Sequence, residues 1–313
     1  MTSLDRAADI KLAAPGSVTC RTFTRSGLKR LARGVYGQPP DTTGLNDHQR
    51  QKAEYIWFVK AVMSTCEDKG AVLYGPSGMQ VSGVALPKEL EDWEHCHILV
   101  PDGKSRPRRE GVISHNARRA FKVWRIVHGL PILHPVELWL QLRGATDDQM
   151  IEVGDGFIRR QHPLLTLDEI KEHLSKCAGL TGVPQAQRVL KYLVPGTDSL
   201  METRTRMILI RGGLPWPEVN PTVYTSAGTD YLVDMAYPAE KVGVEYDGGW
   251  HGTEAQMRSD AFRRRLLQDD GWLLIPVTAP DLEKKEQIVR SVETALLMRR
   301  GVPLRNQGVW API

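Results

Sequence analysis

"TDYLVDMAYPAEKVGVEYDGG", residues 229–249, reads as two β-strands joined by a turn, and the acids it carries decide what kind of domain surrounds it. Apolar and aromatic residues fill both halves, and Pro238-Ala239-Glu240-Lys241 supplies the turn. Side chains alternate along a strand, so Leu232, Asp234 and Ala236 share one face and Gly243, Glu245 and Asp247 share another. Pairing Tyr237 with Val242 puts Asp234 opposite Glu245, with Cβ atoms about 5 Å apart, and Asp247 one pleat beyond. Directly opposed like charges destabilise a hairpin, so the cluster calls for either a raised pKa or a bound cation. Carboxylates at that spacing suit a hard divalent ion such as Mg²⁺, which takes oxygen ligands. The alternative is an acidic face open to solvent, where the same residues are ordinary.

The flanking segments predict what packs on this hairpin. Before it, Asp198 and Ser199 start a helix that runs through Ile210 and stops at "RGGLPWP". Ser199 and Glu202 have the spacing of a capping box, which gives Glu202 a structural role beside any functional one. After the hairpin a helix starts at Thr253, with Gln256 in the matching box position, and ends at Gly271. Asp260 lies seven residues before Leu267, nearly on one helical line, which aims it inward; Arg263, Arg264 and Arg265 fall on other faces. "WLLIPVT", residues 272–278, is a continuous apolar run that predicts a central strand covered on both sides. Helix, strand, strand, helix, strand makes a compact α/β sandwich.

These blocks together resemble the PD-(D/E)xK nuclease superfamily, and more closely the bacterial domains grouped with the very-short-patch-repair endonuclease, a restriction-endonuclease-like fold. The residues that carry the resemblance are Glu202 in "METRTRMIL", Asp234 in "YLVDMAYP", Glu245 and Asp247 in "VGVEYDGGWHG", and Asp260 in "RSDAFRRRLLQDDGWLLIPVT". It covers residues 199 to about 300. The resemblance implies that Asp234 and Glu245 hold Mg²⁺ or Mn²⁺, that Glu202 completes or orients that shell, and that His251 and Asp260 lie near a scissile phosphate. Asp247 stands where many members have lysine, so either a metal-bound water or His251 must take the proton from the nucleophile, or the site is a weak catalyst. The cysteine and histidine zinc ligands of the repair enzyme are not apparent here.

Towards the amino terminus, "SVTCRTFTRSGLKRLARGVYG" joins an alternating stretch to a short basic amphipathic piece and ends in a turn leading into a strand. Its Arg-Gly-Val-Tyr ending, with "VHGLPILHPVELWLQL" further on, is similar to AbiEi-type antitoxins, which implies a partial winged helix and DNA contact. A small basic hairpin is the competing reading. Residues 45–66 have helical spacing; "AVLYGPSGMQVSGVALP", "CHILVP", "VISHN" and "WRIVHGLPILHP" read as short strands, and "VELWLQLRG" as a helix. In His95-Cys96-His97 the histidines point to the opposite face from the cysteine, so one metal does not collect all three. Two helical patterns, "DDQMIEVGDGFIRRQ" and "TLDEIKEHLSKC", lead to a boundary at Pro195 to Ser199. The expected divisions are a basic winged-helix-like segment 1–44, an α+β domain 45–145, a helical connector 146–198 and the nuclease-like α/β domain 199–313.

At 313 residues the chain suits two or three domains, and 41% hydrophobic with 25% charged residues is globular. No apolar run approaches the ~18 residues of a membrane span and no signal core opens the chain. Four dispersed cysteines form no CxxC pair, which suits reduced thiols in a cytoplasm. The net charge is only +4, yet two basic blocks stand out. Residues 1–36 carry seven Lys or Arg against Asp5 and Asp9, and residues 104–125 carry eight against Glu110. Arg21, Arg25, Lys29, Arg30, Arg33, Arg106, Arg108, Arg109, Arg118 and Arg119 are therefore candidate phosphate contacts. The leading expectation is a DNA endonuclease dependent on Mg²⁺. The second is a DNA-binding regulator that keeps the nuclease fold as scaffold, and the third a module that binds a cognate toxin or the product of a neighbouring gene.

Overall fold

The computed structural model describes residues 10–12, 28–32, 35–248 and 254–300. Arg21, Arg25, Arg33 and His251, and with them most of the expected winged-helix segment, lie outside the described residues. The protein is a multidomain α/β protein with mixed sheets, divided into two compact units: residues 1–145 with 170–188, and 146–169 with 189–313. The stretch 146–198 is helical, as its pattern predicts, but its helices are shared between the units: Asp147–Phe157 belongs to the second and Val183–Val189 almost wholly to the first.

In the first unit, β1 (Ile10–Leu12), β2 (Lys29–Ala32) and β3 (Val35–Gly37) form an antiparallel sheet with β3 central. The helix Asp47–Ser64 is capped by Asn46, whose side chain accepts from the Gln49 N–H at 2.9 Å while Gln49 Oε1 accepts from the Asn46 N–H. Its Tyr55, Ile56, Val59 and Val62 pack on a five-stranded sheet of order β6-β5-β4-β8-β7. Those strands are β4 (Val72–Leu73), β5 (Cys96–Val100), β6 (Val112–Asn116), β7 (Arg125–Val127) and β8 (Leu130–Ile132). Residues 71–87 are not the run of strands their alternation suggests. After β4 the chain turns into a helix, Gly75–Ser82, with Pro76 in its first turn and Gly83 at φ 76° ending it. Gly78 lets that helix approach the helix Pro135–Trp139: a Cβ there would stand 2.6 Å from Leu138 Cδ2.

The second unit is built on a four-stranded sheet of order β14-β13-β12-β9. Its strands are β9 (Glu218–Val219), β12 (Met235–Tyr237), β13 (Val242–Asp247) and β14 (Leu273–Thr278), with a separate hairpin of β10 (Thr222–Tyr224) and β11 (Asp230–Leu232). The hairpin register is the one its pattern predicts: Tyr237 pairs Val242, Ala236 pairs Gly243 and Met235 pairs Val244. The first arm is not one continuous strand, however. It breaks at Val233-Asp234, opposite a bend at Asn220-Pro221 where proline offers no N–H and Asn220 takes φ 45°. Nor is "WLLIPVT" a central strand. Among the described residues β14 pairs only with β13, in parallel, and stands at the sheet edge with Leu273 exposed. Pro276 within it is the sequence signal that this apolar run belongs at an edge.

Alternation along β13 divides the core in two. Val242 and Val244, with Met235 and Tyr237, pack against Ile208 and Leu209 of the helix Leu200–Arg211 and against Val289, Val292 and Leu296 of the helix Lys285–Arg300. The other face, with Ala236 and Val233, is covered by Leu267 of the helix Glu254–Asp269 and by Trp272. The Lys285–Arg300 helix was not foreseen from the pattern and closes the layer. Ion pairs join the Asp147–Phe157 helix to the Leu200–Arg211 helix: Asp148 to Arg211, Glu152 to Arg204, and Asp155 to Arg206. Among the described residues no helix is long and apolar enough to cross a membrane.

Candidate active site

Asp234 sits at the strand break, where the sheet presents it beside β13. Its Oδ2 accepts a 2.8 Å hydrogen bond from the Tyr246 N–H, which replaces the ladder bond that a continuous strand would have made. Burial first, then the negative charge of Glu202, pushes its carboxyl up to about 7; Glu245 adds to the rise, while the Tyr246 N–H and Arg263 oppose it. The acids that act on Asp234 are Glu202 and, less strongly, Glu245; Asp247 is not among them.

Glu245 is handled differently. Arg263, on the helix Glu254–Asp269, forms an ion pair with Glu245 Oε1 and also donates to the Leu232 carbonyl. Its spacing of four residues from the buried Leu267 places it on the inward stripe, so Arg263 does not lie on another face as the sequence reading had it. Asp260, expected to point into the core, is exposed. The helix packs through its carboxy-terminal end, at Leu267, and its amino-terminal half overhangs an open cavity. Asp260 points into that space rather than into packed side chains. The cavity, about 260 Å³, is lined by Asp234, Glu245, Tyr246, Asp247, Asp260 and the arginines 263 and 264, with Met257 and Pro276 among others at its walls. Asp247, at the end of β13, is exposed at the cavity.

Glu202 is buried at the start of the Leu200–Arg211 helix. The Ser199 hydroxyl caps the Glu202 N–H at 3.1 Å, but the glutamate's Oε2 accepts from the Asp198 N–H at 2.9 Å instead of the Ser199 N–H that a reciprocal box requires. Asn220 completes its surroundings. The Asn220 side chain donates to Glu202 Oε2 at 3.1 Å and to the Gly196 carbonyl at 2.9 Å, while its N–H donates to the Asp234 carbonyl at 2.9 Å. One residue thus ties the helix start to the strand break. Sequence reasoning missed both Asn220 and Arg263. The Asn-Pro dipeptide and the four-residue spacing to Leu267 were the signals that could have found them.

Asp234 and Glu245 offer oxygen donors of the kind a hard divalent cation takes, and a cation would relieve the crowding at Asp234. Among the described residues no third acid joins them at ligand distance. Among the described residues, the side chains whose donor atoms all lie within 4.8 Å of one another are Glu137, His173 and Cys177, in the first unit.

The candidate phosphate contacts that are described, Lys29, Arg30, Arg106, Arg108, Arg109, Arg118 and Arg119, are all exposed and all belong to the first unit. Arg119 also hydrogen-bonds to Cys177. In the "EHCH" stretch, His95 Nδ1 and His97 Nε2 both lie on the Asp92 carboxylate, at 3.0 and 2.9 Å, while Cys96 is buried in the core on the other side of the strand.

No family model matches the chain. It is similar to the uncharacterized proteins MT2308 and Rv2248 of two Mycobacterium tuberculosis strains, each 27% identical over 264 residues that make up 83% of this chain and 88% of the relative. A crystal structure of the RV2827C protein from Mycobacterium tuberculosis covers 55% of this chain and 64% of that one, with 16% identity and a TM-score of 0.37.

Proposed function

We propose that the protein binds DNA and that its second unit hydrolyses phosphodiester bonds with the help of a divalent cation, in the cytoplasm. One observation carries the reading: Asp234, at a strand break on the wall of an open cavity, has its carboxyl pushed up to about 7 by burial first and then by crowding from Glu202 and Glu245. Functional sites are where such crowding is found. Asp234 and Glu245 are the residues to hold Mg²⁺ or Mn²⁺, which when bound supplies a water of lowered pKa and a counter-charge for phosphate. Asn220 and Glu202 hold the Asp234 backbone and start of the helix in place. Arg263 neutralises Glu245 and, with Arg264, lines the same cavity, where a guanidinium can meet the charge that develops on phosphorus. The exposed arginines of the first unit supply sequence-independent affinity for the backbone.

Plasmid nicking by the purified protein with Mg²⁺ or Mn²⁺ tests the reading. Loss of nicking in both Asp234→Ala and Glu245→Ala is expected, and activity that survives both changes rejects it.

A second reading keeps the fold as the scaffold of a DNA-binding regulator, with or without a partner protein such as a toxin. The ion pair that Arg263 makes with Glu245 favours it, because the pair already neutralises one of the two acids a cation needs. Metal-independent, sequence-selective DNA binding without cleavage selects this reading.

A further inference from the structure

Glu137, His173 and Cys177 come from two helical segments of the first unit, and their ligating atoms lie within 4.8 Å of one another. His173 and Cys177 are four residues apart, so the Leu167–Lys176 helix and its first residue beyond present them on one side. Glu137 comes from the helix Pro135–Trp139, 36 residues away in sequence, and its Oε1 lies 3.1 Å from His173 Nε2. The Cys177 thiol is buried, whereas His173 and Glu137 keep 23% and 20% of their side-chain surface, which leaves solvent a way in.

The surroundings hold the imidazole in one orientation. The His134 ring stacks on His173 with centroids 3.5 Å apart and planes 3° from parallel, and Trp124 meets His134 edge-on at 5.4 Å. His134 is itself fixed, because its Nδ1 accepts from the Val136 N–H at 3.2 Å. Arg119 hydrogen-bonds to the Cys177 sulfur from outside the set. A plain ion pair between Glu137 and His173 does not call for a cysteine at the same point, nor for a stacked ring that fixes the histidine.

We propose that Glu137, His173 and Cys177 form a binding site for a transition metal of the zinc class, with water in the fourth position, that staples the Leu167–Lys176 helix to the Pro135–Trp139 helix. Thiolate, imidazole and carboxylate together are a zinc donor set, and an oxygen-seeking ion such as Mg²⁺ does not take it. On binding, the thiol proton passes to solvent and the sulfur becomes the ligand. Loaded, the two anionic ligands balance the ion, and Arg119 remains as a donor to the thiolate. The site is independent of the acids in the second unit and of the activity proposed for them.

Full-length protein stripped with a chelator and titrated with Co²⁺ tests the assignment. One equivalent of cobalt is expected to give a near-ultraviolet thiolate-to-cobalt band that Zn²⁺ abolishes by displacement. Cobalt held by carboxylates in the second unit gives no such band, so Asp234→Asn leaves it intact. Cys177→Ser removes the band, His173→Gln weakens cobalt binding at least tenfold, and His134→Ala weakens it by about tenfold as a loss of positioning. Should Cys177→Ser not fold, His173→Gln, at a partly exposed position, decides the matter alone. Absence of the band in the stripped wild-type protein, its survival in Cys177→Ser, or unchanged affinity in His173→Gln overturns the proposal.

Discussion

Arg263 forms an ion pair with Glu245 beneath the Glu254–Asp269 helix, on the same face of the sheet that brings Asp234 to the cavity. The pair is partly buried, with 27% of the arginine and 13% of the glutamate side chain exposed, so the guanidinium stands where a cation would otherwise be needed. Arg263→Gln leaves Glu245 without its counter-charge. Metal-free protein is expected to lose about 1–2 kcal/mol in urea unfolding. Isothermal titration should show tighter Mn²⁺ binding in this variant together with slower nicking. Unchanged Mn²⁺ affinity would separate the ion pair from the cation site.

Asp234 makes the stability of the metal-free protein depend on pH. Its carboxyl rises from 3.8 to about 7 on folding, so between those values the folded chain holds a proton that the unfolded chain has released. Stability contributed by that proton is full at acid pH and declines as pH climbs through about 7. Asp234→Asn removes the dependence. The variant is expected to be more stable than wild type by about 1–2 kcal/mol at pH 8 and nearly equal to it at pH 4, read from thermal melts across the range. Mn²⁺ should stabilise wild type at pH 8 and leave the variant unmoved.

The Asp155–Arg206 pair is wholly shut from water, with the Arg206 NH2 group donating to Asp155 Oδ2 at 2.7 Å. Burial raises the Asp155 carboxyl, and Arg206, the Val194 N–H and the Thr203 hydroxyl oppose that rise. Arg206→Met is expected to cost about 3–5 kcal/mol because it strands a buried carboxylate. Adding Asp155→Asn should recover much of the loss, since the amide oxygen still accepts from the Val194 N–H and the amide NH2 can donate to the Thr203 hydroxyl, without a charge. Urea midpoints of the two variants measure the difference.

At Gly243, β13 lies close against its neighbours. A Cβ there would stand 2.7 Å from Leu274 Cδ2 and 2.9 Å from Val233 Cγ1. Gly243→Ala is expected to destabilise the protein by about 1–3 kcal/mol as those side chains give way. Glu245 lies two residues along the same strand, so Mn²⁺ affinity should fall with it, while binding of Co²⁺ through the Cys177 thiolate is retained.

The basic loop of the first unit offers a separate test. Replacing exposed Arg106, Arg108 and Arg109 with serine should weaken duplex DNA binding for every sequence. If each arginine meets one phosphate, the triple variant lowers the slope of log affinity against log salt by about three. Fluorescence anisotropy at several salt concentrations reads the slope.

Local pattern alone determined much of this protein. The hairpin register from Tyr237 to Val242, the helices at 47–64 and 200–211, the strands "CHILV" and "VISHN", and the placement of Asp234 beside Glu245 all follow from alternation, helical spacing and turn residues. These features depend on neighbours a few residues apart, or on two strands joined by a short turn. What escaped the pattern depends on contacts between distant segments. β14 is an edge strand because the rest of the sheet grows on the other side of β13, which its apolar run does not record. Asp260 opens onto a cavity and Arg263 turns inward because the helix packs through Leu267 and overhangs at its other end. Asn220 reaches Glu202 and the Asp234 carbonyl only after a strand break and a helix start have met. The same holds for Glu137, His173 and Cys177, whose donor atoms converge only when two helical segments pack. Side-chain alternation is a property of the backbone, whereas the company a side chain keeps is a property of the packed core.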